Sequence, residues 1–514
     1  MTTTIPETSR ILVIGGGPAG ASAATLLARQ GYEVTVLERD YFPRYHIGES
    51  LLPSVLEILD LMGLREQMEN SGFVKKHGAF LEWGSERWGL NFGELGEGRT
   101  HAFQVERADF DKMLLDHAAR CGVQVFEGVE VQSLECDGDR PRAANWAMKA
   151  QAEGQVNGRA RDIAASGRIA FDYLIDASGR AGVMATKYLQ NRKYHKIFQN
   201  VAVWGYWKGT DRMVTGREGD IAVGSVENGW IWAIPLRDDT TSVGLVMHRD
   251  TVVKRGAASL EQLYFDALDE SPIIKRAIAP GRLESKLHTE QDYSYASQVF
   301  SGPGFFMAGD AAAFLDPLLS SGVHLATYSG LLAAASIGST IRGEVDEAEA
   351  AQFFEKCYRQ AYLRFLVFLS AFYDVGRKKE SYFWEAQRLT EDDAETKDLN
   401  GAFLKLVTGV KDMADAKTNA HRLVLDTMTK RIDENLKFRK DKMKLASLEG
   451  EEKDKARANA RFFSSVEGLF ALSAEEAIEG IYVVTRPVLG LARVDQRAVA
   501  DEALAGAGRA EAVH

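Results

Sequence analysis

Arg10–Gly20 reads RILVIGGGPAG, and Ala21–Gly31 continues it as ASAATLLARQG. A short apolar run gives way to a glycine turn, then to an alanine- and leucine-rich helix. YEVTVLER at Tyr32–Arg39 follows as a second strand. This β-turn-α-β order gives the glycines a mechanical meaning. Gly15 permits the tight turn, Gly17 lets a pyrophosphate approach the backbone, and Gly20 lets helix and strand pack closely. The helix start around Ala19 offers unpaired N–H groups and a positive dipole end to phosphate. Glu38 ends the second strand, where a carboxylate accepts hydrogen bonds from ribose hydroxyls and disfavours a 2′-phosphate. The stretch therefore predicts a dinucleotide site that disfavours NADP.

Working outward, the 514 residues allow two to four domains around sizeable cores. Apolar residues make up 45% and charged residues 26%, as in ordinary globular proteins. A net charge of −11 argues against a nucleic-acid partner. Cys121, Cys136 and Cys357 are too few and scattered for a disulfide framework or a metal site, so we expect free thiols, no metal and a cytoplasmic location. MTTTIPETSR lacks the positive start of a secretion signal, and no apolar run is long enough to span a bilayer. Ser50–Glu69 and Arg107–Cys121 read as helices, and Asn200–Val246 as a sheet rich in Trp, Val and Tyr. Beyond residue 346 the pattern reads as helical almost to the end. Lys430–Arg457 is a run of mixed charge expected to be solvated.

The segment GPGFFMAGDAAAFLDP at Gly302–Pro317 resembles the second flavin-contacting motif of aromatic hydroxylases and their relatives. That resemblance implies FAD, with Gly309 and Asp310 at the ribityl chain and Arg107 of VERADF near the phosphates. WIWAIP at Trp230–Pro235 resembles the W-x-W-x-I-P signature of flavin-dependent halogenases. The family reading makes Trp230, Trp232 and Pro235 a wall between flavin and substrate. Two indoles at i and i+2 project from one face of a strand, as a wall requires. GFVKKHGAFLEWG at Gly72–Gly84 resembles the family's lysine segment and implies Lys76 as the catalytic amine, with Lys75 facing solvent. FLDPLLSSGVHLATYS at Phe314–Ser329 is similar to the halide turn, implying a chloride at Ser321 and Gly322. FPRYHIGESLLPSVLEIL matches the family's loop and helix over the flavin and puts Glu49 and Ser50 near the cofactor.

The resemblance implies an α/β, glutathione-reductase-like (aromatic-hydroxylase-like) FAD-binding fold. Residues 1–198 and 296–345 would form the FAD-binding domain, 199–295 an inserted β-sheet substrate domain, and 346–514 a helical C-terminal region. It implies that reduced FAD, delivered by a separate flavin reductase, works with O2 and chloride or bromide to form hypohalous acid. Lys76 then passes the halogen to an electron-rich aromatic ring. Tryptophan halogenases carry a glutamate where this chain has Leu319. That departure points to the phenol or pyrrole branch, with its chondrochloren-type and chloramphenicol-type members, whose substrates are often held on an acyl or peptidyl carrier protein. Arg377, Lys378 and Lys379 are a candidate contact for such an acidic carrier. The alternative is an FAD-dependent aromatic hydroxylase.

Overall fold

A computed structural model describes residues 4–95, 100–149, 163–227, 229–254, 260–372 and 481–493. Lys430–Arg457, Arg377, Lys378 and Lys379 lie outside the described residues.

The fingerprint strand Thr8–Ile14 sits inside a parallel layer. Val34–Glu38 pairs on one side of it and Ile163–Asp176 on the other, with Gln124–Glu127 and Phe305–Met307 extending the layer outward. All five residues of Val34–Glu38 are buried, as expected of a strand covered on both faces. The Pro18–Ala28 helix starts on a proline at its first position, which has no N–H to leave orphaned. It packs on the long Gly322–Arg342 helix, whose residues Val323–Ser339 are all buried. Phe305–Met307 ends beside the fingerprint because the parallel order brings it there, although it lies far along the chain. Val129–Asp137 and Arg140–Lys149 extend this layer as antiparallel strands.

A second, nine-stranded sheet is built around Arg192–Lys208, Ile221–Val226, Gly229–Pro235, Thr240–His248 and His288–Ser297. It reaches beyond the 199–295 interval expected from sequence. Gly78–Trp83 joins it in parallel register, Ile221 opposite Ala79, and carries Glu86–Asn91 with it. Pairing between strands so distant in sequence leaves no local pattern to read. Just before this sheet, Val74–Lys76 forms a separate two-stranded pair with Ala102–Gln104.

The predicted Ser50–Glu69 helix is two helices, Pro53–Met62 and Arg65–Glu69, broken at Gly63 with φ +80°. Arg107–Arg120 is helical as expected. Glu347–Phe372 supplies the helix expected past residue 346. Ile481–Val484 and Gly490–Arg493, by contrast, form an antiparallel pair where helix was expected. IYVV is a β-branched and aromatic run, and Leu491 N–H donates to Ser339 Oγ at 2.7 Å, so tertiary docking and strand propensity agree there. Among the described residues no helix is long and apolar enough to cross a membrane.

Candidate active site

The two sheets meet at a cavity of about 620 Å³, within the usual range of ligand sites. Its walls include Gly15, Gly17, Ala19, Glu38, Ser50, Arg107, Gly309, Asp310, Trp230, Trp232 and Gly322. Residues named from five separate stretches of sequence are thus brought to one space.

At the fingerprint end the backbone leaves no room for side chains. Gly15 has φ +103°, and a Cβ there would lie 2.3 Å from the Ala177 carbonyl oxygen. A Cβ on Gly20 would lie 1.9 Å from the Gly15 carbonyl oxygen, which explains why Gly20 is needed without itself lining the cavity. Glu38 accepts from Gly16 N–H at 2.6 Å and Asp40 N–H at 2.8 Å, with its carboxylate on the cavity. Burial pushes its pKa up, opposed by Arg44 and the two backbone donors. Gly309, at φ +59°, lets the end of Phe305–Met307 abut Ala19. Glycine cradle, helix start and terminal carboxylate fit the adenosine and pyrophosphate of FAD, and Asp310 lies along the same wall.

Arg107 is placed less simply than expected. Its guanidinium forks onto Asp111 at 2.8 and 3.0 Å, and Nη1 donates to the Ile47 carbonyl at 2.9 Å. Burial alone would raise the Asp111 carboxyl, yet the Arg107 guanidinium holds it below the usual range. Arg107 thereby fastens the Ile47–Gly48 segment to its own helix. A second cation, Arg44, lies 3.2 Å from where a Gly17 Cβ would be and 3.5 Å from Asp111. No sequence signal marked Arg44, which sits in a loop, though FPRYH does place it just ahead of the matched GES.

Trp230 and Trp232 are 2% and 4% exposed, with ring centroids 5.6 Å apart, and both line the cavity. Trp232 is held by Nε1 donating to Ser242 Oγ at 3.2 Å and by Gly244, whose Cβ would lie 2.1 Å from the indole. Pro235 closes the same strand opposite Thr241 and is not among the cavity walls. In Val74–Lys76, strand alternation turns Lys75 outward to Glu69 at 2.9 Å and Lys76 inward. Lys76 Nζ donates to Ser50 Oγ at 2.8 Å and to the Leu51 carbonyl at 3.1 Å, with the Phe92 ring 5.5 Å away. Burial drives its amine from the ordinary 10.5 down to about 7, and Asp220 opposes the fall. Ser50 lines the cavity, and Lys76 lies behind it.

Glu49 lines the same cavity. It accepts from Tyr206 OH at 2.8 Å, and burial lifts its carboxyl to about 7. Ser321 is 1% exposed and precedes the Gly322–Arg342 helix, and Gly322 reaches the cavity with open space beside it. Asp316 holds this turn, accepting from Leu318 N–H at 3.0 Å and from Asn200 Nδ2 at 2.7 Å. Leu319 packs against the apolar core rather than the cavity. Among the described residues no group of His, Cys, Asp and Glu could hold a metal ion.

Comparison with known proteins agrees with this geometry. The family model described as tryptophan halogenase matches residues 10–101 and 95–420. A tryptophan 2-halogenase of Chondromyces crocatus is 46% identical over 518 residues, covering 96% of each chain. A flavin-dependent halogenase of Armillaria mellea is 39% identical over 436 residues, 81% of each. The solved structure of the myxobacterial chondrochloren halogenase, described as a variant of FAD-dependent halogenases, superposes with a TM-score of 0.65. It is 36% identical and covers 80% of this chain and 92% of that one. The aromatic-hydroxylase alternative gives way to these matches. With a family model matched over most of its length and a relative 46% identical over 96% of both chains, this chain belongs to the tryptophan-halogenase family of flavin-dependent halogenases.

Proposed function

We propose that the protein uses reduced FAD, O2 and chloride or bromide to halogenate an indole ring, with Lys76 as the group that delivers the halogen. The observation that carries this reading is the buried Lys76 amine, lowered to about 7 and bonded to Ser50 of the cavity that two tryptophans also line. When bound, the cofactor would supply the oxidising power that turns halide into hypohalous acid.

The chain's own residues do the rest. The Trp230–Trp232 pair keeps an aromatic substrate off the flavin edge, so direct oxygen transfer to the ring is blocked. Gly322 offers its N–H and open space at a helix start, which suits a monoanion beside the cavity. Ser50 and the Leu51 carbonyl aim the lysine Nζ. A desolvated amine near pH 7 serves either as a hydrogen-bond donor to hypohalous acid or as a nucleophile that exchanges N–H for N–halogen and releases water. The ring then takes the halogen and gives up a proton, and the amine is restored.

The indole follows from the 46% identical relative, a tryptophan 2-halogenase, which outweighs the phenol or pyrrole expectation drawn from Leu319. The missing glutamate still favours a ring presented on a carrier protein over free tryptophan. A separate flavin reductase supplies reduced FAD, since the chain shows a single dinucleotide fingerprint. The test is a reaction of purified protein with a flavin reductase, NADH, FAD, air and chloride or bromide, read by intact mass. Free tryptophan, carrier-bound tryptophan, phenols and pyrroles are offered in parallel. A halogen on the carrier-bound indole is the expected result. Halogenation confined to phenols or pyrroles would refute the substrate assignment, and Lys76→Ala that still halogenates would refute the role of the lysine.

A further inference from the structure

Leu319 stands where the resemblance to tryptophan halogenases would place an acid, and a buried carboxylate, Asp220, lies against the strand that follows Lys76. Asp220 immediately precedes the strand Ile221–Val226, whose parallel register with Gly78–Trp83 sets Asp220 against Gly78. A Cβ on Gly78 would come within 3.4 Å of Asp220 Oδ2. The preceding Gly219 is so close that a Cβ there would lie 1.9 Å from the Lys75 carbonyl oxygen. The backbone N–H of His77 donates to the Asp220 carboxylate. Residues 219 and 220 therefore clasp the chain from Lys75 to Gly78, with Lys76 inside the clasp. Asp220 is 8% exposed, and its Oδ1 has no hydrogen-bond partner. A buried carboxylate oxygen without a donor is costly, and native proteins rarely keep one without use.

Lys76 Nζ lies outside ion-pair distance of Asp220, and its bonds go to the segment that carries Ser50. Gln104, on the strand paired with Val74–Lys76, donates Nε2 to the Gly219 carbonyl at 3.0 Å and so fixes the clasp from beneath.

We propose that Asp220 is the positioning carboxylate of Lys76: it anchors the Lys75–Gly78 backbone that carries the lysine and stands, outside ion-pair distance, as the opposite charge beside the amine. This rests on the reading of Lys76 as the halogen-delivering group. The other charged groups around the pair are named easily. His77 and Arg217 face Asp220, Lys75 is turned out to Glu69, and His101 on the facing strand is also bound to Glu69. Glu49, on the segment that carries Ser50, is tied to Tyr206. Asp220 is the group whose charge favours the Lys76 ammonium. The pair changes no bond itself. It fixes whether Nζ carries two protons or three when the oxidant arrives.

The test reads the lysine directly, in flavin-free protein, by NMR of ε-13C-labelled lysine across the neutral and alkaline range. The Lys76 signal is the one missing from Lys76→Arg. Removing the charge in Asp220→Asn should lower the Lys76 midpoint by about 1 pH unit, the usual effect of a close opposite charge. Asp220→Glu keeps the charge and should hold the midpoint near the parent value, which separates charge from fold damage. The pH profile of halogenation should move the same way in Asp220→Asn. Either limb, whichever protonation state of the amine works, shifts to lower pH. A Lys76 midpoint that stays put or rises in Asp220→Asn overturns the proposal. Halogenation surviving in Lys76→Ala overturns instead the reading it rests on, and the titration tells the two failures apart.

Discussion

Replacing Lys76 by methionine should abolish halogenation and, at neutral pH, stabilise the fold. The lysine is 2% exposed, and burial pulls its amine from the ordinary 10.5 to about 7. Between those two values the unfolded chain binds a proton at position 76 that the folded chain does not. Stability therefore rises with pH through that window. Above 10.5 both states are neutral and the penalty vanishes; below about 7 both are protonated and it stays constant. At roughly 1.4 kcal/mol per pH unit, the penalty near neutrality is on the order of 4 kcal/mol. Methionine keeps most of the volume but loses the bonds to Ser50 Oγ and the Leu51 carbonyl, worth together about 1–3 kcal/mol. The variant should gain about 1–3 kcal/mol near neutral pH and fall below the parent protein as pH nears the lysine's ordinary value. Urea unfolding of the flavin-free proteins at both ends of the window measures this. Equal destabilisation at both ends would show that burial does not depress the amine, and the chemical argument for Lys76 would lose its basis.

Gly244→Ala should disturb the wall without touching the lysine. Its Cβ would lie 2.1 Å from the Trp232 ring, and overpacking of this kind costs about 1–3 kcal/mol. The melting temperature should fall, and oxidant should escape to a small trap such as monochlorodimedone; parent-like stability with no escape would contradict the tight seating of Trp232. Glu38→Ala should weaken FAD binding about ten- to a hundredfold, because Gly16 N–H, Asp40 N–H and the ribose all lose their acceptor. Flavin fluorescence quenching reads this, and unchanged affinity would place the ribose elsewhere. Arg44→Ala should lower FAD affinity by about tenfold and flatten its salt dependence, as loss of a phosphate-facing cation requires. Affinity unchanged at low salt would restrict Arg44 to its contact with Asp111.

What could be read in the sequence was local. The strand, glycine turn, helix and Glu38 lie within thirty residues and obey fixed spacings, so their meeting at one cavity end was legible. The opposed directions of Lys75 and Lys76 followed from strand alternation alone. Arg107 lines the cavity, but an equally local signal beside it went unread. RADFD sets Asp111 at i+4, the spacing of a helical ion pair, and that carboxylate claims the guanidinium. Leu319 pointed to a phenol or pyrrole, whereas the 46% identical relative, a tryptophan 2-halogenase, points to an indole. Asp220 comes beside Lys76 only through the parallel pairing of Gly78–Trp83 with Ile221–Val226, a contact that no periodicity announces. The Ile481–Arg493 strand pair was lost inside a long helical pattern, although IYVV carried the β-branched signal.

The segment from Glu49 to Leu51 explains why so much unfavourable burial is tolerated in one place. Glu49 is an acid lifted to about 7 and Lys76 a base lowered to about 7, both by burial, and Ser50 stands between them. Placed in contact, the two would form an ion pair and each would return towards its ordinary charged state. The structure avoids this by giving each a different neutral partner, Tyr206 for the glutamate and Ser50 with the Leu51 carbonyl for the lysine. Two groups whose environments push opposite pKa values to the same point can both change protonation at neutral pH, as acid–base work requires. Asp220 Oδ1 and Gln104 Oε1 lack partners in this region, each at about 1–3 kcal/mol. A core selected for stability alone would have paired or removed them. Their persistence beside a depressed lysine accords with the proposed site for a polar, proton-exchanging oxidant.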